Sequence, residues 1–212
     1  MISLDRVDFS VFLLEIGDKM SAMNEFSLKN YQALYQATIE KLKLGQRPQV
    51  KLTPELIAEL KTEWESSFTS GVEKASQLEI IKKILCILDN TQNSTSELNE
   101  LFIKTLKEIK DHDLIVYCLA ASQKHVIADG LKTGKMISYE YFEILKTLLL
   151  ENNPEVKEWT LRTIESMGPL GLRLKTEVLN AKPGIMKLFN KHQKASAQII
   201  DYLESEWKRM LK

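Results

Sequence analysis

The sequence predicts an all-α fold made of antiparallel helix pairs joined by short turns. Three observations carry this reading. Apolar residues recur every three or four positions over most of the chain, as in Leu56, Ile57, Leu60, Trp64 and Phe68, which is the period of one helix face. Helix-opening chemistry is repeated: Thr53-Pro54-Glu55 and Asn153-Pro154-Glu155 each supply a capping oxygen, a proline and an acid in that order. No two convincing strand segments exist to pair with each other.

Residues 1–26 fit two templates. Val7, Phe9, Val11 and Leu13 alternate like a strand, while Leu4, Val7, Val11 and Leu14 share a helix face; with no strand to pair with, helix is the reading. Next comes a helix with Leu28, Tyr31, Leu34, Tyr35, Ile39 and Leu42, ending at Gly45, and a polar connection containing Pro48. The helix opened by Thr53 runs to Phe68 and breaks near Ser70-Gly71; residues 72–88 form another. Ser94 and Glu97 stand at capping-box spacing ahead of a helix through Leu98, Leu101, Phe102, Thr105 and Ile109. Asp111-His112-Asp113 breaks and re-caps the chain, and residues 114–128 form a helix that ends at Asp129-Gly130.

Residues 138–180 are the stretch around which the rest is organised. An apolar patch from Tyr141 to Leu149 breaks at Asn152-Asn153-Pro154, and the helix that follows stops at Gly168-Pro169. There glycine provides the left-handed stop and proline prevents continuation while opening the next helix. After Lys182-Pro183-Gly184, a final helix carries Ile185, Leu188, His192, Ser196, Ile199, Leu203, Trp207 and Met210 along one stripe. The chain reads as a single all-helical domain, with an N-terminal helical cap over residues 1–52 and helical repeats over residues 53–212.

The 212 residues suffice for one sizeable core. An apolar share of 44% with 27% charged residues is that of an ordinary globular protein. The formal net charge is zero, so no global field draws the chain to nucleic acid or an anionic membrane. Cys86 and Cys118 both fall in apolar helical segments and are expected as buried free thiols. No apolar run approaches the ~18–20 residues of a membrane span. Asp5 and Asp8 stand where a secretory signal would carry positive charge, so a cytoplasmic protein is expected.

An internal echo links two helix pairs. Ile103-Lys104-Thr105-Leu106 precedes Leu145-Lys146-Thr147-Leu148 by 42 positions, and at that offset Asp111 matches Asn153, Leu114 matches Val156, Tyr117 matches Trp159 and Leu119 matches Leu161. Residues 153–168, with Asn153-Pro154-Glu155-Val156-Lys157 at the start and Ile164, Met167 and Gly168 at the end, resemble the second helix of a HEAT repeat. The 111–126 copy lacks the basic residue and the closing glycine. The resemblance covers roughly residues 54–211. It implies helix pairs stacked as a short right-handed α-α superhelix of HEAT or armadillo type, with an irregular helical bundle as the alternative. It also implies a binding role, that of a non-catalytic scaffold or adaptor for another protein or peptide of unknown identity.

Catalytic and metal chemistry find little support. Glu108 and His112 share a helix spacing, but no second pair completes a coordination set. His125 falls where the echo puts core Met167 and reads as a satisfied core histidine. His192 and Ser196 stand four apart without an evident orienting acid or oxyanion hole. Residues 130–135 fail the phosphate-loop pattern, with three residues between the glycines and Met136 after Lys135. No cofactor or metal is expected.

Two surfaces remain. On helix 114–128 the side opposite the core-facing stripe is Val116, Ala120, Gln123 and Ile127, largely apolar, and either lines a docking groove or is covered by the N-terminal segment. Glu158 and Arg162 would add polar partner contacts. The second surface is basic, formed by Arg173, Lys175, Lys187, Lys191 and Lys194, and suits nucleic acid as the alternative partner. The resemblance admits that class, since some DNA glycosylases are built of HEAT-like repeats, although no catalytic acid with aromatic partners matches theirs. The register also predicts that Trp159 is buried while Glu158, Arg162 and Glu165 face outward. Trp159→Ala should then cost about 3–5 kcal/mol and Arg162→Ala under about 0.5 kcal/mol.

Overall fold

The structure, a computed structural model, describes residues 30–69, 71–184 and 189–211. The helix expected over residues 1–26, and Ile185, Lys187 and Leu188, lie outside the described residues. Within them the protein is all-α, and the only extended pairing is an isolated bridge between Val50 and Thr91.

Local sequence chemistry sets most helix ends. Helix α1, Asn30–Lys43, buries Tyr31, Tyr35, Thr38 and Ile39 on one stripe. In α2, Pro54–Ser67, Thr53 caps by accepting from the Leu56 N–H, and Leu56, Ile57, Leu60 and Trp64 face inward. Helix α3, Lys74–Asp89, ends in five successive buried residues, Ile84 to Leu88. That run is broader than one helix face and means α3 is covered on several sides. Helix α4, Asn99–Glu108, is followed by α5, His112–Ser122, capped by the Asp111 carboxylate on the Leu114 N–H at 2.9 Å.

Helix α5 departs from expectation at its far end. It does not stop at Asp129-Gly130 but passes through a π turn, Gln123–Ala128, into α6, Asp129–Thr133, and ends at left-handed Gly134. The wider turn lets His125, Val126 and Ile127 all be buried. The Ser94–Glu97 capping box is not made either. Ser94 Oγ donates instead to the Asp129 carboxylate at 2.7 Å, and the Glu97 N–H is taken by Thr95 Oγ1.

Helix α7, Tyr139–Leu149, is capped by Ser138, and α8, Pro154–Ser166, by Asn153, whose side-chain oxygen accepts from Glu155 and Val156 N–H. Gly168, at φ +57°, closes α8 as the sequence indicates. A 3₁₀ segment, Gly168–Leu174, then leads into α9, Lys175–Asn180. The last helix, α10, is Lys191–Met210, capped by Asn190.

The helices pack in two rows. One is α2, α4 and α7; the other is α3, α5, α8 and α10, with α1 against α2 and α3. The rows are joined by consecutive pairs, α2 with α3, α4 with α5 and α7 with α8. One apolar cluster runs between them from Tyr31 to Trp207.

Candidate functional site

One concavity among the described residues lies where α7 runs past the end of α4 and the start of α5. Its volume is about 630 Å³. Leu106, Ile109, Ile115, Ile144 and Leu148 form an apolar floor. The two walls differ in charge. Lys107, Lys110 and His112 line one side, and Glu140, Glu143 and Glu151 line the other.

Some of these charges are already engaged. Lys107 Nζ donates to Glu140 at 2.5 Å, which raises the lysine pKa through that hydrogen bond. Lys146 holds Glu143 at 2.9 Å, and that bond, with one from the Tyr139 hydroxyl, holds the Glu143 carboxyl below its ordinary range. Lys110 and Glu151 make no ion pair among the described residues. Tyr139 is largely exposed at the rim.

The residues expected to form a docking face are arranged differently. Val116 and Ile127 are core residues, only 3% and 1% exposed. Val116 lies on α5, which packs against α3, α4 and α8, and Ile127 lies in the π turn, which packs against α4 and α8. Ala120 is half-buried, and so is Gln123, whose amide reaches Thr163 Oγ1 at 3.4 Å. Of the four residues, only Ala120 and Gln123 keep partial exposure.

Glu158 does not face outward. It lies under α10, 7% exposed, where Arg162 donates to its Oε1 from both Nε and Nη2 at 2.9 and 2.7 Å. His192 Nδ1 meets the other oxygen, Oε2, at 2.7 Å. Trp159 is only partly buried against the core, whereas Val156, Thr160, Thr163 and Met167 are fully buried. The sequence-based contrast is therefore revised. Arg162→Ala leaves a buried carboxylate short of two charge-assisted hydrogen bonds and is expected to cost about 1.5–3 kcal/mol. Denaturant unfolding checks this, and a loss below about 0.5 kcal/mol would restore the original register.

Glu158 also supplies His192 with the acid that the sequence did not reveal. A nucleophilic arrangement is still not formed, because the Ser196 hydroxyl is fully buried and has no hydrogen-bond partner. A serine that neither reaches its base nor meets solvent cannot attack a substrate. His125 is likewise internal. It stacks on Phe102 and is bonded at both ring nitrogens, to the Thr95 N–H at 3.2 Å and the Leu88 carbonyl at 3.1 Å. Among the described residues no group of three His, Cys, Asp or Glu side chains is placed to hold a metal.

The basic residues are dispersed in environment. Arg173 lies over the Phe142 ring, its guanidinium carbon 5.4 Å from the centroid, and Lys175 is half-buried. Lys191 and Lys194 are exposed on α10, which also presents Asp201, Glu204 and Glu206. No described helix is long and apolar enough to cross a membrane.

Sequence reasoning missed the α4–α7 groove. Its acidic wall was visible as Glu140, Glu143 and Glu151 flanking apolar Ile144 and Leu148, but nothing local brings Lys107 and Lys110 opposite them. Comparison with protein-family models, with curated proteins and with solved structures finds no match to this chain.

Proposed function

We propose that this chain is a non-catalytic protein- or peptide-binding scaffold of helical-repeat type, acting in the cytoplasm, with the α4–α7 groove as its docking face. One observation carries the reading: an open concavity of about 630 Å³ with an apolar floor and charged walls, the makeup of sites that accept helical or peptide ligands. The repeat element rests on the stacked pairs α2–α3, α4–α5 and α7–α8 and on the equivalent caps Asp111 and Asn153, 42 positions apart. HEAT-like superhelical stacking is the arrangement we infer from them.

Nucleic-acid binding through Arg173, Lys175, Lys191 and Lys194 is the lesser reading, because Arg173 is engaged over Phe142, Lys175 is half-buried, and the later part of α10 carries Asp201, Glu204 and Glu206. A salt titration against generic duplex DNA and RNA tests it directly, since phosphate contacts make affinity fall steeply with salt.

Selection of displayed peptides of about 14 residues against the full chain tests the leading reading. Thr147 is exposed and lines the groove, so Thr147→Trp fills the site from a solvent-facing position. Enriched peptides are expected to lose at least about tenfold in affinity for Thr147→Trp, the scale of ~1.4 kcal/mol. Binders indifferent to this substitution, in a variant with unchanged circular dichroism and melting, would contradict the assignment.

A further inference from the structure

We propose that the occupant of this groove is an amphipathic helix of another protein, about three turns long, whose apolar stripe is bounded by an acidic edge and a basic edge. The inference rests on the docking reading of the same groove and specifies its partner.

Length comes from α7. Its groove residues fall at positions 140, 143, 144, 147 and 148 on one helix face, and Glu151, just past the helix end, extends the line to about the length of three turns. At about 1.5 Å per residue that face is roughly 17 Å long. Conformation comes from the walls. Both are mainly helical, so most of their backbone groups are spent within the helices, and the three-residue link 109–111 between α4 and α5 is too short to offer a sheet edge to an extended peptide. Ridges of side chains remain, and these are filled by the ridges of a third helix.

Charge sets the edges. A ligand lying between the walls turns one flank toward Lys107 and Lys110 and the other toward Glu143 and Glu151. Lys107 is partly satisfied by Glu140, and Glu143 by Lys146. Lys110 and Glu151, with no ion pair among the described residues, are the charges left for a partner. Glu151 has the stronger demand. It follows the C-terminal end of α7, Leu149, where the helix dipole already disfavours a negative charge. A carboxylate near Lys110 and an ammonium or guanidinium near Glu151 complete both.

Three synthetic peptides of about 14 residues with one shared Leu/Ile stripe test this on the full chain by fluorescence anisotropy. Their edges are Glu on one side and Lys on the other, Glu on both, or Lys on both. The mixed peptide is expected to bind about fivefold tighter than either uniform one at low salt, the size of effect a few exposed ion pairs produce. Lys110→Glu should shift the preference to the all-Lys peptide, and Glu151→Lys to the all-Glu peptide. Equal binding of all three, lost in Thr147→Trp, overturns the inference while leaving the docking reading intact. Binding that survives Thr147→Trp overturns both. Displacement of the mixed peptide by a synthetic peptide of residues 1–29, or self-association of the chain that Thr147→Trp abolishes, overturns the choice of a foreign helix as occupant.

Discussion

Trp64→Ala is expected to destabilise the protein by about 3–5 kcal/mol, the cost of truncating a fully buried aromatic. Trp64 is 0% exposed and ties α2 to α4 in two ways. Its ring meets Phe102 edge to face, with centroids 5.0 Å apart, and its Nε1–H donates to Thr105 Oγ1 at 3.0 Å. Truncation therefore opens a cavity and strands a buried hydroxyl. Trp64→Phe separates the two, retaining most of the packing while losing the hydrogen bond, and should cost about 1–2 kcal/mol from that bond. Urea unfolding monitored by circular dichroism reads both. A loss below about 1 kcal/mol for Trp64→Ala would mean that the α2–α4 contact does not hold the row of α2, α4 and α7 together.

The second large effect is a loss of stability in mild acid, centred on His125. Burial pushes its pKa down to about 4, against ~6.5 for an unperturbed histidine. The geometry agrees with this direction. The Thr95 N–H can only donate, so Nδ1 must keep its lone pair, and Nε2–H is left to donate to the Leu88 carbonyl. The folded state thus requires the neutral ring, while the unfolded chain takes up a proton below about pH 6.5. Stability from this group is complete above that pH and drains away as pH falls toward 4, by about 3 kcal/mol in all. His125→Gln can mimic both bonds and cannot titrate. It should be less stable than the parent at pH 7 but flatter between pH 6.5 and 4. Parallel pH profiles for the two proteins would remove His125 from this role.

Helix boundaries were legible where their chemistry is local. Thr53, Asp111 and Asn153 each cap an N–H within three residues, and Gly168 needs only its own left-handed φ. They could be read from short windows. The π turn after α5 could not, because His125 is held by Leu88 and Thr95, 37 and 30 residues away. Ser94 was misread for the same reason, its hydroxyl being taken by Asp129, 35 residues on. Glu158 looked like a surface acid because helical spacing says nothing of α10, which covers it with His192.

The site was less legible than the fold. The docking face expected on residues 114–128 is closed at Val116 and Ile127, whose apolar character marks burial among several helices rather than a waiting surface. The groove depends on tertiary neighbours, α7 beside the α4–α5 corner, and its one visible cross-link, Lys107 with Glu140, spans 33 positions. Periodicity along one helix carries no record of that pairing.

Methyl NMR of the isoleucine-labelled chain, titrated with the mixed-edge peptide, tests the groove most directly. Ile109, Ile115 and Ile144 line it, whereas Ile127, in the π turn after α5, belongs to the face first expected to dock a partner, and Ile87 and Ile200 sit elsewhere in the core. Shifts are expected at Ile109, Ile115 and Ile144, and little change at Ile87, Ile127 and Ile200. Saturable shifts centred on Ile127 or Ile200, with the three groove methyls still, would contradict the account.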